Sequence, residues 1–357
     1  MSKFLNYKRE FGSDVEKALY VDMTVPELID RILKKRAVCF VGPNDKYKLL
    51  NEEEGAEGWE EVGTSKENPP LVLENCLSYD EMKLSSMVYV SGYTECINDG
   101  ARHNDGVVND DAEEDAVIIG LIGPRFARRG KMDYEDILIT KEQNCPENGY
   151  GWEGQKWKSF FKMFKTVDQT SQKHQAAKHA MREIETLLKE IKSKTAQDTD
   201  RYKHVIRGKK YSCIFDNEVY YKRICVLAEV TLIEADSRAE ESGRNAFVNV
   251  IGCGNFIFIL TIPRGITRNR EPSSRLSGEH AGKLLVLTYP WDSNAHPGNE
   301  FWFGSLHSSG DPAAACSTQV SELHNAHINP AVSARNVRVA GKNGLRTLSD
   351  YCLALVA

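Results

Sequence analysis

A short apolar run and the loop that follows it constrain the fold more than any other part of the sequence. Residues Leu284 to Tyr289 read LLVLTY, and this length, with its β-branched and aromatic residues, predicts a buried β-strand. The run stops at Pro290, and the loop beyond it combines glycine and proline with many polar residues. Proteins with an α/β fold place their ligands where such strands end. We therefore expect an α/β fold with a binding site at this loop.

Three acidic residues follow the predicted strand within twenty positions: Asp292, Glu300 and Asp311. They lie near loops or helix starts, and such a group of carboxylates is a candidate for general acid–base catalysis. Each acid also has a structural interpretation. Asp311 before Pro312 suits a helix N-cap. Glu300 suits the first turn of a helix and Asp292 suits an Asx turn. The residues alone leave both interpretations open.

A second candidate site follows a predicted strand at Ala246 to Ile251. Residues 252–256 read Gly-Cys-Gly-Asn-Phe. Glycines let backbone N–H groups approach a pyrophosphate, and the aromatic ring is suited to lie under a ribose or a base. Two such glycines are also common in tight turns, and the third glycine of the dinucleotide-binding fingerprint is absent.

Arg125 follows a third apolar run, Ala116 to Ile122, which predicts another buried strand. An arginine in this position suits a phosphate or a carboxylate, because its planar guanidinium binds two oxygens. An ion pair with Asp133 or Glu135 is the alternative, and the two interpretations are equally supported.

Besides the two helices predicted at Gln155 to Val167 and Gln172 to Lys194, helices are predicted in three places. Met23 to Arg36 has apolar residues on one face and Thr24 as a suitable N-cap. Ser78 and the glutamate three residues later match a capping box. Asn217 to Glu241 carries apolar residues at helical spacing.

Two charged segments and two polar side chains have competing interpretations. Residues 98–115 are acidic and turn-rich, which suits a cation site, a surface for a basic partner, or a solvated loop that leads into a helix. Residues 155–210 are lysine-rich and read as helical, either as a docking face or as a solvated face. Cys316 with His324 suits a thiol nucleophile and its base, although a small buried side chain is the simpler role for Cys316. We expect His296 to face solvent or to touch a phosphate.

Composition excludes several classes of protein. The chain has 357 residues and a net charge of −5, so it lacks a global basic surface for nucleic acid or an anionic membrane. Nine cysteines occur without a CxxC pair, which favours a reducing compartment over a disulfide framework or a cysteine-rich zinc site. No apolar run approaches the ~18 residues of a membrane span, and the N-terminus lacks the apolar core of a secretory signal. We expect a cytoplasmic protein.

Five runs of sequence together carry a resemblance to one family. They are GLIGPRF (120–126), YYKRICVLAEVTLIEADSRA (220–239), FVNVIGCGNF (247–256), PWDSNAHPGNEFW (290–302) and SGDPAAACS (309–317). In this order they resemble the macrodomain-related, arginine-specific ADP-ribosylhydrolase family that contains the bacterial effector MavL. The last two runs are the most distinctive. The chain departs from the family at Glu300, where the effector has aspartate, and at Cys253 and Asn255 in the glycine loop.

The resemblance implies a macrodomain-like mixed sheet flanked by helices, with ADP-ribose in a cleft at the strand ends. This core would span residues 86–357 and include the basic helical segment at 155–210, and residues 1–85 would form an N-terminal helical and extended cap. The resemblance also implies that the three acids of the catalytic cleft are Asp292, Glu300 and Asp311. The residues that we expect to contact ADP-ribose lie near them or near the other strand ends: Arg125, Gly252, Gly254, Asn255, Phe256, Asn294, Gly298, Asn299 and Gly310.

The expected activity is metal-independent hydrolysis of the bond between ADP-ribose and arginine on a modified protein, with ubiquitin as a candidate target. We expect no metal and no cofactor, ADP-ribose as the ligand, and neither nucleic acid nor membrane as a partner. Two other functions stay open. One is a reader module that binds ADP-ribose without cleaving it, and the other is a nucleotide-diphosphate hydrolase that uses residues 98–115 and a divalent ion.

Overall fold

The structure is a computed structural model. It describes residues 1–41, 44–98, 107–123, 138–139, 202–207, 211–250, 274–292, 295–296, 299, 317–319, 325–341 and 344–351. The chain divides into two compact units, one formed by Met1–Arg128 with Leu227–Ala357 and the other by Arg129–Val226.

Both helices and strands occur along the described chain. Within these residues the helices are α1 (Ser2–Phe11), α2 (Asp14–Tyr20), α3 (Val25–Lys34), α4 (Tyr79–Ser85) and α5 (Asn217–Ser242). The strands are β1 (Cys39–Val41), β2 (Lys46–Lys48), β3 (Glu54–Gly55), β4 (Val90–Thr94), β5 (Ala116–Gly123), β6 (Leu138–Ile139), β7 (Tyr202–Arg207), β8 (Tyr211–Asp216), β9 (Ala246–Asn249), β10 (Leu284–Asp292), β11 (Arg338–Gly341) and β12 (Gly344–Thr347). The protein is therefore a mixed α/β protein.

A four-stranded mixed sheet lies at the centre of the first unit, in the order β4-β5-β10-β9. Strands β5, β10 and β9 are parallel, whereas β4 pairs antiparallel with β5. The strands predicted from the three apolar runs are confirmed, and β10 is an interior strand of this sheet.

Apolar side chains cover both faces of the sheet. One face packs against α5 and buries Val117, Ile119, Leu121, Ala235, Leu284 and Val286. The opposite face buries Cys96, Ala112, Ala116, Leu276, Leu285 and Leu287. Successive side chains of a strand point to opposite faces. A strand that is buried on both faces therefore has a continuous apolar run rather than an alternating one.

Strand β10 continues through Pro290 to Asp292, so the prediction that it stops at Pro290 is wrong. Proline lacks the N–H that an interior strand would donate. Among the described residues, β10 pairs with β9 from Leu284 to Leu287 and with β5 as far as Asp292. In this register Pro290 lies opposite Leu121 of β5.

Helices α2, α3 and α4 each begin at a local sequence signal. Ser13, Thr24 and Ser78 each form a capping box with the glutamate three residues later. The predicted starts of α3 and α4 are thereby confirmed. Each box satisfies backbone N–H groups that the first helical turn leaves without a partner.

Residues 1–85 pack directly on the C-terminal part of the same unit. Ile29 and Leu33 of α3 form an apolar cluster with Val332 and Ala334. The carboxylate of Asp30 also accepts a hydrogen bond from the Ala334 backbone N–H at 2.7 Å. The domain boundary at residue 85 stays a prediction.

The second unit contains an antiparallel sheet in the order β6-β8-β7. Residues 202–207 form β7 and pair with β8 along their full length, so the prediction that residues 155–210 are helical is wrong for this part. The pattern of lysines suggested a helix face, but strand pairing decided the structure. Residues 155–201 lie outside the described residues.

Within the described part of the chain, no helix has both the length and the apolar character that crossing a membrane requires.

Candidate active site

Asp292 is the last residue of the interior strand β10. It lies opposite Gly123, the last residue of β5, in the parallel register that runs from the Leu285–Ala116 pair. Parallel strands bring their carboxyl ends to the same edge of a sheet, and α/β proteins bind ligands at that edge. The backbone thus places Asp292 where a ligand is expected.

The loop after β10 is fixed to two residues near the N-terminus. Ala295 forms a parallel β-bridge with Ala37, and the His296 backbone N–H donates to the Ala37 carbonyl at 3.0 Å. Further along, the side-chain amide of Asn299 donates a hydrogen bond to the Val38 carbonyl. These contacts of residues 295–299 with residues 37–38 are called the loop anchor below.

His296 is completely buried, with 0% of its surface exposed, so the expectation that it faces solvent is wrong. Its ring meets the ring of His327 edge to face, with centroids 5.4 Å apart. The Nε2 atom of His327 lies 3.0 Å from the carbonyl oxygen of Lys34. Burial, and then the nearby charge of Arg36 and the ring of His327, hold the pKa of His296 well below its usual range. The His296 imidazole is therefore neutral near pH 7.

Asn299 is the predicted ADP-ribose contact whose side chain the structure describes. It is buried, with 6% of its surface exposed. Besides its bond to Val38, its amide nitrogen lies 3.6 Å from the sulfur of Cys39. The amide therefore links the loop to the N-terminal part of the chain.

Ser317, which follows Asp311 by six residues, contacts the chain near the amino-terminal end of β5. Ser317 forms an antiparallel bridge with Cys96, and Cys96 follows β4, whose last residue pairs with Ala116 at the start of β5. Ser317 therefore lies near the amino-terminal end of β5, whereas Asp292 lies opposite its carboxyl-terminal end. Residues 311–316, which would join Ser317 to Asp311, are outside the described part of the chain.

The other predicted site residues lie outside the described residues. They are Glu300, Asp311, Arg125, Gly252, Gly254, Asn255, Phe256, Asn294, Gly298 and Gly310. The same holds for Cys316 and His324.

The described part of the acidic segment, residues 107–115, leads into strand β5 rather than into a helix. Two of its acids pair with arginines of the same unit. Arg244 lies 2.6 Å from Asp115, and Arg275 lies 2.8 Å from Glu114. Over the residues that the structure describes, no group of three or more His, Cys, Asp or Glu side chains is arranged to hold a metal ion.

No pattern in the sequence pointed to the side chains near the loop anchor. Among the described residues, Arg36 is the second largest of the fully buried side chains, yet in the sequence it reads as the basic end of the predicted helix Met23 to Arg36. His327 lies between two asparagines, Asn325 and Asn329, with Ala326 and Ile328 beside it. Their proximity to His296 depends on contacts between distant parts of the chain, which spacing along the sequence does not reveal.

Comparisons with known proteins agree with one another. A family model described as ADP-ribosylhydrolase MavL-like matches residues 1–261 and 264–354. The chain is 37% identical to the ADP-ribosylarginine hydrolase CG3568 of Drosophila melanogaster, with 99% of this chain and 78% of that protein aligned. It is 32% identical to the ADP-ribosylarginine hydrolase CG2909 of the same organism, over 99% of this chain and 79% of that protein.

Proposed function

The chain belongs to the MavL-like ADP-ribosylhydrolase family, and we propose that it removes ADP-ribose from modified arginine side chains of proteins. Membership of this family makes the chain a hydrolase. The specificity for arginine is supported by the names of both Drosophila relatives, which are called ADP-ribosylarginine hydrolases.

The position of Asp292 carries the proposal. It ends the interior strand of a sheet in which β5, β10 and β9 are parallel, and that edge is where ligands bind in α/β proteins. A carboxylate there suits cleavage of an N-glycosidic bond, because the sugar acquires positive charge as the bond breaks.

Three carboxylates divide the chemistry in this proposal. Asp292 positions the distal ribose and the attacking water. Glu300 removes the proton from that water or stabilises the charge on the sugar. Asp311 holds the guanidinium of the arginine, since a carboxylate binds a guanidinium through two parallel hydrogen bonds. No step in this division of labour uses a metal ion.

The ligand is ADP-ribose, held in a macrodomain-like cleft. Backbone N–H groups of the loop with Gly252 and Gly254 would bind the diphosphate. The remaining contacts in the proposal are Asn255, Phe256, Asn294, Gly298, Gly310 and Arg125. The protein substrate carries ADP-ribose on arginine, and ubiquitin is our candidate for it.

The test compares two substrates, one protein with ADP-ribose linked to arginine and one with ADP-ribose linked to glutamate. We expect release of free ADP-ribose from the arginine-linked substrate alone. Binding of ADP-ribose without release would instead identify a reader module. Equal release from both linkages would contradict the arginine specificity. Modified ubiquitin, assayed beside an unrelated modified protein, tests the candidate target.

A further inference from the structure

We propose that Asn299 is a positioning residue, which holds the catalytic loop in place through the loop anchor rather than by contacting ADP-ribose. The inference rests on the proposed function, because it gives Asn299 the task of fixing the backbone next to Glu300. It also gives residues 37 and 38, which lie far from every candidate acid in the sequence, a part in the reaction.

The loop is held at three of five consecutive positions. Ala295 forms a β-bridge with Ala37. The backbone N–H of His296 donates a hydrogen bond to the carbonyl of Ala37. The side-chain amide of Asn299 donates to the carbonyl of Val38. Asp292 lies three residues before the first of these contacts, and Glu300 directly follows the last. The anchored segment therefore joins the two candidate acids.

The chemistry of the contact suits a fixed position. Asn299 is 6% exposed, and a buried carbonyl needs a hydrogen-bond donor. Asn299 supplies that donor from the loop to Val38, a residue of the chain that is itself fixed: the Val38 backbone N–H donates to the Lys48 carbonyl at 2.8 Å. A loop that contains Gly and Pro takes a defined position when one of its side chains is hydrogen-bonded to a backbone group that is itself fixed.

The burial of His296 supports the same arrangement. Its ring is fully buried and packs against the ring of His327, so this part of the loop faces the protein interior. A catalytic group that moves by about 1 Å can lose on the order of 10²-fold in rate. Releasing the loop at Asn299 is therefore expected to affect turnover more than folding.

A matched contact elsewhere separates positioning from general stability. The carboxylate of Asp30 accepts a hydrogen bond from the backbone N–H of Ala334 at 2.7 Å. This contact also involves the N-terminal region, but neither residue belongs to residues 292–300. The side chain of Asn299 donates one hydrogen bond to a backbone carbonyl, and the side chain of Asp30 accepts one from a backbone N–H. Only Asn299 belongs to the loop that carries the candidate acids.

The experiment measures kcat on arginine-linked ADP-ribosylated protein, the Kd for free ADP-ribose by calorimetry, and the melting temperature, for Asn299→Ala and Asp30→Ala in the full chain. For Asn299→Ala we expect kcat to fall roughly 10- to 100-fold while the Kd for ADP-ribose changes less than about threefold. Asp30→Ala should lower the melting temperature with kcat close to that of the wild type. Should Asn299→Ala not fold, Asn299→Ser keeps a hydroxyl donor in its place and is expected to give a smaller fall in kcat.

Three outcomes would overturn the inference. A weaker Kd for ADP-ribose with unchanged kcat in Asn299→Ala would identify a ligand contact. An equal loss of kcat in Asp30→Ala would identify general destabilisation. Rapid hydrogen exchange at the His296 amide of the wild-type protein would show that the loop anchor does not form in solution. A wild-type protein that releases no ADP-ribose contradicts the proposed function instead, and the exchange measurement still tests the anchor.

Discussion

Asp292 and Gly123 are the last residues of two neighbouring parallel strands, and they lie opposite each other in the register. Parallel strands end at the same edge of a sheet, and α/β proteins bind ligands at that edge. This relationship makes Asp292 the acid whose placement the backbone supports most directly.

The first prediction concerns Asp292. Asp292→Asn keeps the size of the side chain but removes its charge, so the distal ribose and the attacking water lose the carboxylate that positions them. We expect turnover to fall at least ~10²-fold, the usual range for general acid–base residues, measured as ADP-ribose released from arginine-linked substrate. The exposed Asp350, which bonds Thr347 at 2.7 Å, provides the control, because Asp350→Asn should leave turnover unchanged. A fully active Asp292→Asn enzyme would refute the role.

The second prediction separates catalysis from capping at Asp311. Asparagine and aspartate are about equally good N-caps, so Asp311→Asn should preserve the stability that a helix cap at this position contributes. Loss of the carboxylate should nevertheless weaken the grip on the guanidinium and lower turnover by at least ~10²-fold. If turnover stays at the wild-type level, Asp311 is not a member of the catalytic group.

The third prediction concerns a buried ion pair in the N-terminal region. Arg31 Nε lies 2.6 Å from a carboxylate oxygen of Glu81, and neither side chain has more than 7% of its surface exposed. Glu81→Gln leaves the guanidinium buried without a countercharge. Breaking such a pair costs about 3–5 kcal/mol, which urea denaturation would measure.

The exposed pair between Lys48 and Glu54 is the control for this measurement. Its atoms lie 2.9 Å apart, but 64% of the Glu54 side chain is exposed. Exposed ion pairs contribute little, so Glu54→Gln should leave the free energy of unfolding nearly unchanged. Equal effects of the two substitutions would show that the Arg31–Glu81 pair is not buried in solution.

The fourth prediction is a pH dependence that comes from His296. Its pKa is lowered in the folded protein, so the unfolded chain binds a proton that the folded protein does not. Stability should therefore fall as the pH drops below about 6.5, by up to ~1.4 kcal/mol for each pH unit from this residue. His296→Phe keeps a ring but cannot titrate. Denaturation from pH 7.5 to 5 should show a shallower dependence for the variant, and identical slopes would contradict the assignment.

The fifth prediction is that activity survives EDTA. The proposed chemistry needs only carboxylates, and the acids at 114 and 115 are paired with arginines. Turnover after dialysis against EDTA should match the untreated enzyme. Loss of activity that Mg²⁺ or Mn²⁺ restores would favour a metal-dependent hydrolase.

Local signals predicted much of the fold. The capping boxes at Thr24 and Ser78 and the apolar runs of β5 and β10 are each contained in a few consecutive residues, so the sequence revealed them directly. The candidate acid Asp292 followed from the same strand. The length of β10 was not predicted in this way, because proline usually ends a strand, whereas β10 pairs with β5 as far as Asp292.

The side chains that surround the candidate site could not be predicted from the spacing of residues along the sequence. A histidine in a loop rich in polar residues usually faces solvent, and His296 is buried because residues 37 and 327 approach it from other parts of the chain. The role of Asn299 depends in the same way on the backbone of Val38. Sequence patterns report which residues are near in the chain, whereas these contacts exist only once the chain has folded.

The hydrogen bond between Asn299 and Val38 joins positions that are 261 residues apart. A truncated protein that starts at residue 86 would retain every candidate acid but would lack the carbonyl that secures the loop before Glu300. It would also uncover the apolar side chains of Val332 and Ala334. Insertions between residues 36 and 39 should consequently be as harmful as substitutions beside the acids, and selection for activity is expected to act on residues 37 and 38 as well as on the loop.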